Sequence, residues 1–331
     1  MIWNKWHLSV FTSSALFLLL ASGCLKNDLA EREANEKKVI EQYLIANNIS
    51  ADTKTEGGIY FIEQVVGTGL SPVQDDYIMI DYVGRYLESN EIRETSYDSL
   101  KEYWTSATSY VDYLYGPAKI LYGHNISGIN EGLSLMREGG KAEIIIPSDK
   151  AFYDFNPLIY EIELIKVIKD PLAYEDSVLH AYLDEKGFDA STVLDSIWFR
   201  ETYTPDPADQ RTVETSDEVY FRFTGRLVDG FRNVLQDNRV FDTNVDDENP
   251  VKLIFGQSKV SSGSILALPI GLKMALDSMR LGTHATAVLP YRQALGKDGL
   301  IHSIYRYTIV PTYQTVVYDI VVEDIISPAK K

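Results

Sequence analysis

The chain has 331 residues, 45% of them hydrophobic and 24% charged, and a formal net charge of −17. That length and composition exclude a largely disordered protein and allow two domains, each able to bury a core. The acidic balance argues against nucleic acid as a partner, and a single cysteine, Cys24, excludes a disulfide framework.

In chain order, Lys5, the apolar stretch LSVFTSSALFLLL and then ASGC have the layout of a secretory signal. The apolar run is shorter than the roughly 20 residues that a membrane-spanning helix needs. Ala21, Ser22 and Gly23 before Cys24 resemble the lipobox at which bacterial lipoproteins are cleaved and acylated. Residues 1–23 are therefore expected to be a removed signal, and Cys24 a lipidated first residue that holds the protein to a membrane. An ordinary secreted protein with an idle thiol in its signal is the alternative. Residues 24–36 are polar and read as a tether, and the KND within them loosely resembles the export signals of surface lipoproteins. The address implied is the bacterial cell envelope, at the outer membrane, on either its periplasmic or its surface face.

The rest of the chain reads twice. VIEQYLIANNISA at 39–51 matches VLHAYLDEKGFDA at 178–190, both as short amphipathic helices. IYF at 59–61 matches IWF at 197–199, and Asp76, Tyr82, Gly84 and Arg85 match Asp217, Phe223, Gly225 and Arg226. GINEGLSLMREGGKAEIIIP then corresponds to IGLKMALDSMRLGTHATAVLP. Ile129, Leu133 and Met136 form one apolar helix stripe, as do Leu272, Leu276 and Met279, with Gly139 and Gly282 expected as left-handed helix caps. Alternating strands follow, and LIYEIELI and VVYDIVVE close the two units. A repeat of this size is a duplicated domain, not a solenoid. The fold class expected is α+β: two domains, at 37–171 and 172–328, each an antiparallel β-sheet wrapped around a short amphipathic helix and preceded by another short helix. YTPDPADQRTVETS reads as a long loop, and the Tyr-rich EYWTSATSYVDYLYG at 102–116 as an insertion that packs on its own domain or stacks on a glycan or protein.

These residues resemble FKBP-type peptidyl-prolyl isomerases, twice over and across nearly all of the chain after the signal. The second copy carries the resemblance in DEVYFRFTGRLVDG, VFDTN, PVKLIFG, GLKMALDSMRLG, AVLPYRQALG and IVPTYQTVVYDIVVEDI. The first carries it in QDDYIMIDYVGRYL, PAKILYG, GINEGLSLMREGGKAEIIIP and FNPLIYEIELIKVI. Rotating an amide before proline crosses a barrier of about 18–20 kcal/mol, and a dry, aromatic-walled pocket lowers it by favouring the twisted bond. No nucleophile, cofactor or metal is needed. The histidines at 7, 124, 180, 284 and 302 show no metal-ligand spacing.

In the second copy the resemblance assigns the catalytic positions to Phe241, Asp242 and Tyr318, with Val310 as the aliphatic residue of the preceding loop. Phe223 stands for the family's Tyr, Leu272 for the aromatic floor residue, Leu295 for the loop Tyr and Val251 for a Phe. The pocket stays apolar and loses hydroxyls, each worth about 0.5–1.5 kcal/mol as a hydrogen bond. In the first copy Tyr82, Ile126, Phe152 and Tyr160 are acceptable wall residues, and Ile129 replaces the floor aromatic. Ala118 stands where a Phe is usual. Arg93 and Glu94 stand at the Phe-Asp position, with Tyr97 and Asp98 as the other alignment. A guanidinium there requires a paired carboxylate such as Glu94. With this substitution and a short YDFNPL loop, the first copy is expected to be inactive.

The function implied is an FKBP-type isomerase-like envelope lipoprotein that acts on proline-containing unfolded or exported proteins, through the second copy if at all. The alternative is a non-catalytic binding module or chaperone on the same fold.

Overall fold

The computed structural model describes residues 28–103, 115–205, 211–229, 236–257, 259–263, 265–301, 303 and 307–328. The expected signal, Cys24 and residues 104–114 of the Tyr-rich insertion lie outside them. The chain divides into two compact units. The first takes the residues up to Asp75 with Ile80–Thr105 and Leu121–Val167, and the second takes those from Ile168 onward with Asp76–Met79 and the described part of Ser106–Ile120.

The first unit opens on helix α1 at 28–46, so residues 28–36, read from sequence as tether, form its first turns. Ile40 and Leu44, one helical turn apart, are both 6% exposed and pack with Leu87, Ile145 and Ile159. The helix ends before Asn48, whose φ of 55° is left-handed, a conformation that Asn tolerates. The strands that follow are β1 (Tyr60–Val65), β2 (Tyr77–Tyr86), β3 (Ile92–Thr95), β4 (Ala118–Leu121), β5 (Gly140–Ile146) and β6 (Leu158–Ile168), with helix α2 (Ser127–Ser134) between β4 and β5. They form one sheet in the order β1-β5-β6-β2-β3, with β4 also paired to β2.

The second unit begins with α3 (Pro171–Lys186). It starts seven residues earlier than its amphipathic stripe suggests, because Asp170 accepts the amides of Leu172 and Ala173 and Pro171 takes the first helical position. Gly187, with φ 68°, ends it in a left-handed cap. Next come β7 (Val193–Leu194), β8 (Ile197–Tyr203), β9 (Glu218–Asp229), β10 (Gln236–Thr243), β11 (Val251–Ile254) and β12 (Lys259–Ser262). After helix α4 (Ile270–Asp277) the chain adds β13 (His284–Leu289), the short pair β14 (Leu300–Ile301) and β15 (Thr308–Val310), and finally β16 (Val316–Ile326). The main sheet runs β12-β11-β9-β16-β13-β8-β7, with β10 also on β9. Its core order β8-β13-β16-β9 repeats β1-β5-β6-β2 of the first unit, and its paired strands are antiparallel.

Each sheet buries both faces. In β13, Ala285, Ala287 and Leu289 face the core that holds Leu272, Leu276 and Met279 of the α4 segment, while Val288 points the other way and packs with Val178, Leu179, Tyr182 and Leu183 of α3. In β5, Ile144 and Ile145 are both fully buried for the same reason, since α1 covers the outer face. Two-sided burial explains why these strands read as near-continuous apolar runs. The glycine caps expected at Gly139 and Gly282 are corrected. Helices α2 and α4 end on Leu135 and Ser278 in ordinary right-handed geometry, and the two glycines, with φ of 84° and 75°, lie in the turns that lead into β5 and β13.

Candidate functional site

Opposite the middle of β9, strand β10 carries an extra residue. Val240 pairs with Arg226 and Asp242 with Gly225, so Phe241 is the bulged residue between them. A bulge bends its strand and re-aims a side chain. Here it turns the Phe241 ring onto Tyr318 of β16, edge to face at 5.8 Å and 87°. Phe223 of β9 also lies against Tyr318, tilted at 46° with ring centroids 5.8 Å apart. Gly225 makes this crowding possible. A Cβ there would come within 2.8 Å of Phe241 Cζ and 3.1 Å of Tyr318 Cε1.

The structure brings Phe223, Phe241, Val251, Leu272, Val310 and Tyr318 into a single buried cluster, with Leu295 partly buried against it. The cluster is closed: Tyr318, Val251 and Leu272 have no exposed surface, and Phe241 is 4% exposed. Asp242 is only partly buried, and its Oδ2 accepts the Leu266 amide at 2.7 Å. Burial, and then the negative charge of Asp242, pushes the Tyr318 hydroxyl well above the ordinary phenol range, so it remains a donor at neutral pH. Among the described residues no group makes a hydrogen bond to that hydroxyl.

The first unit repeats the geometry with different chemistry. Gly84 of β2 pairs with Glu94 and Arg85 with Ile92, which makes Arg93 the bulged residue. Arg93 and Glu94 therefore occupy the places of Phe241 and Asp242. Asp98 instead begins a short 3-10 helix, Asp98–Tyr103, so the alignment through Tyr97 and Asp98 is set aside. Arg93 pairs with Glu94 at 3.3 Å and lies 4.2 Å from the ring centre of Phe152, which meets the requirement for a carboxylate partner. Tyr160 of β6, 3% exposed, donates its hydroxyl to Glu94 Oε1. Burial, and then the Glu94 charge, pushes that hydroxyl well up. Tyr82 lies 6.4 Å from Tyr160 between ring centres. Ile129 is buried on α2, Ile126 and Ala118 are partly covered, and Phe152 is 45% exposed.

Two positioning groups escaped the sequence reading. Asn244, 1% exposed, accepts the Phe223 amide at 2.8 Å and donates to the Phe221 carbonyl at 3.3 Å, tying the end of β10 to β9. Its place in VFDTN was the available signal. The Leu266 amide that holds Asp242 had none, because a backbone group 24 residues away leaves no mark on side-chain pattern. Arg222 adds a further clamp, reaching Glu323 at 2.7 Å and the carbonyls of Asn244 and Asp247. Among the described residues no cluster of three or more His, Cys, Asp or Glu is placed to hold a metal, and no helix is long and apolar enough to cross a membrane.

With this geometry in view, residues 209–323 match the family model for FKBP-type peptidyl-prolyl cis-trans isomerase. A probable FKBP-type peptidyl-prolyl cis-trans isomerase FkpA of Neisseria meningitidis is 28% identical over 148 residues, 42% of this chain and 48% of the relative. The FkpA of Escherichia coli K12 is 24% identical over 161 residues, 46% of this chain and 53% of the relative. The chain thus spans about half the length of the curated relatives it matches. Among solved structures, Escherichia coli FkpA covers 51% of this chain and 74% of its own at 20% identity and a TM-score of 0.34. The three FKBP domains of wheat FKBP73 cover 82% of this chain and 97% of their own at 15% identity and a TM-score of 0.31. The second unit is homologous to the FKBP-type isomerases, and the strand order and bulge repeated in the first make the chain a tandem of FKBP-like domains.

Proposed function

We propose that this protein is an FKBP-type isomerase-like protein of the bacterial envelope, which binds proline-containing segments of unfolded exported proteins through its second unit. A lipid on Cys24 anchors it, at the outer membrane. The observation that carries the reading is the bulge in β10, which sets Phe241 and Asp242 beside Tyr318 within a segment homologous to these isomerases. When the side chains that close the cluster give way, its apolar groups offer a prolyl ring a water-poor seat. Excluding water disfavours the charge-separated planar amide, and the twisted bond gains relative to it. The first unit is inactive in this reading, because the Arg93–Glu94–Tyr160 network occupies the equivalent place.

The test is proline-limited refolding of a reporter protein with catalytic amounts of the full chain. Acceleration is expected, with loss of about tenfold or more in Phe241→Ala or Asp242→Ala. Equal rates with and without the protein would sink the catalytic reading. The complete burial of Tyr318, Val251 and Leu272 favours a second reading, a binding module without catalysis. It predicts retention of unfolded chains at an unchanged isomerisation rate, and failure to retain them would end it.

A further inference from the structure

We infer that the hydroxyl of Tyr318 is a hydrogen-bond donor to a peptide ligand of the second unit. This rests on the binding function proposed above and assigns the hydroxyl a role beyond the ring's place as a wall. Tyr160 and Tyr318 hold the same position on the last strand of each unit, and Glu94 and Asp242 the same position opposite Gly84 and Gly225. In the first unit Tyr160 donates to Glu94, so its hydroxyl is satisfied internally. In the second the carboxylate is one methylene shorter and accepts the Leu266 amide, which leaves Tyr318 Oη buried with no hydrogen-bond partner among the described residues. A buried hydroxyl in that condition destabilises the fold, so the sequence keeps it at a cost that Phe would avoid. The neighbouring Phe223 has no hydroxyl, whereas Tyr82 holds the matching place in the first unit. The second pocket therefore presents its hydroxyl from β16 instead of β9.

The acceptor is a carbonyl oxygen of the peptide other than the one on the rotating bond. A donor on the rotating carbonyl would hold the planar, charge-separated amide and slow its rotation. A hydrogen bond made equally in ground and transition states lowers KM and leaves kcat unchanged. Because Tyr318 has no exposed surface, the ligand reaches it only when side chains covering the cluster give way.

The experiment uses the full chain and an Ala-Leu-Pro-Phe tetrapeptide, with its affinity read by NMR titration and KM and kcat by exchange between its cis and trans forms. Tyr318→Phe is expected to weaken affinity and raise KM by about tenfold, at unchanged kcat. Its unfolding midpoint is expected to be equal to the parent's or higher. Asp242→Glu is expected to reach Tyr318 as Glu94 reaches Tyr160, and so to weaken affinity to the same degree while raising the midpoint. Unchanged affinity in Tyr318→Phe, or a lowered midpoint with unchanged affinity, overturns the hydroxyl's role while leaving the binding function standing. No titration by the parent protein overturns both.

Discussion

Gly225 shows how much of the site hangs on a missing atom. It sits between two rings, and an added methyl would meet Phe241 and Tyr318 inside van der Waals distance. Gly225→Ala is expected to destabilise the second unit by about 1–3 kcal/mol through overpacking, measured by denaturant unfolding. The same glycine in the first unit, Gly84, lies against the Tyr160 ring. Sequence could align the two glycines, but it could not say why either is required. Arg93 teaches the complementary lesson. Its place among pocket aromatics was legible, as was its need for a carboxylate, yet two alignments remained open until strand register set Glu94 opposite Gly84. A bulge shifts register by one residue, and one residue decides which side chain faces the pocket.

Among the elements, the short helices and alternating strands were legible because apolar spacing follows backbone period. Their ends were less so. The stripe of α3 begins at Val178, but the helix begins at Pro171, because capping by Asp170 sets its start and core contact does not. Asp170→Ala is expected to cost about 1 kcal/mol, seen as a lower unfolding midpoint, with Asp170→Asn retaining most of the parent's stability. Sequence spacing alone places the glycines after α2 and α4 at helix caps. A turn that enters a strand also needs a left-handed residue, and that use prevailed. The β10 bulge left no local sequence signal. It exists because Phe241 and Asp242 both find partners across the sheet, the ring on Tyr318 and the carboxylate on the Leu266 amide.

For the whole molecule, one plan was used twice and then equipped differently. Each copy wraps its sheet on a short helix and covers the outer face with a longer one, so each has its own core. The lipid anchor proposed at Cys24 belongs to this scale too, since it would hold the protein near a membrane. Cys24→Ser is expected to move the protein from the membrane pellet to the soluble fraction of the envelope, checked by fractionation and immunoblot. The sequence by itself determined the duplication, the fold class and the contrast between an apolar set of residues in the second unit and a charged pair at the same place in the first. These follow from residue type and spacing, which local physics converts directly into helix stripes and strand faces. Only the tertiary structure decided that the second pocket's rings are closed on one another, that the first is filled by an ion pair, and that Tyr160 is satisfied while Tyr318 is not. Those outcomes turn on a bulge, on one methylene of reach and on a backbone amide far along the chain, none of which has a local period to read.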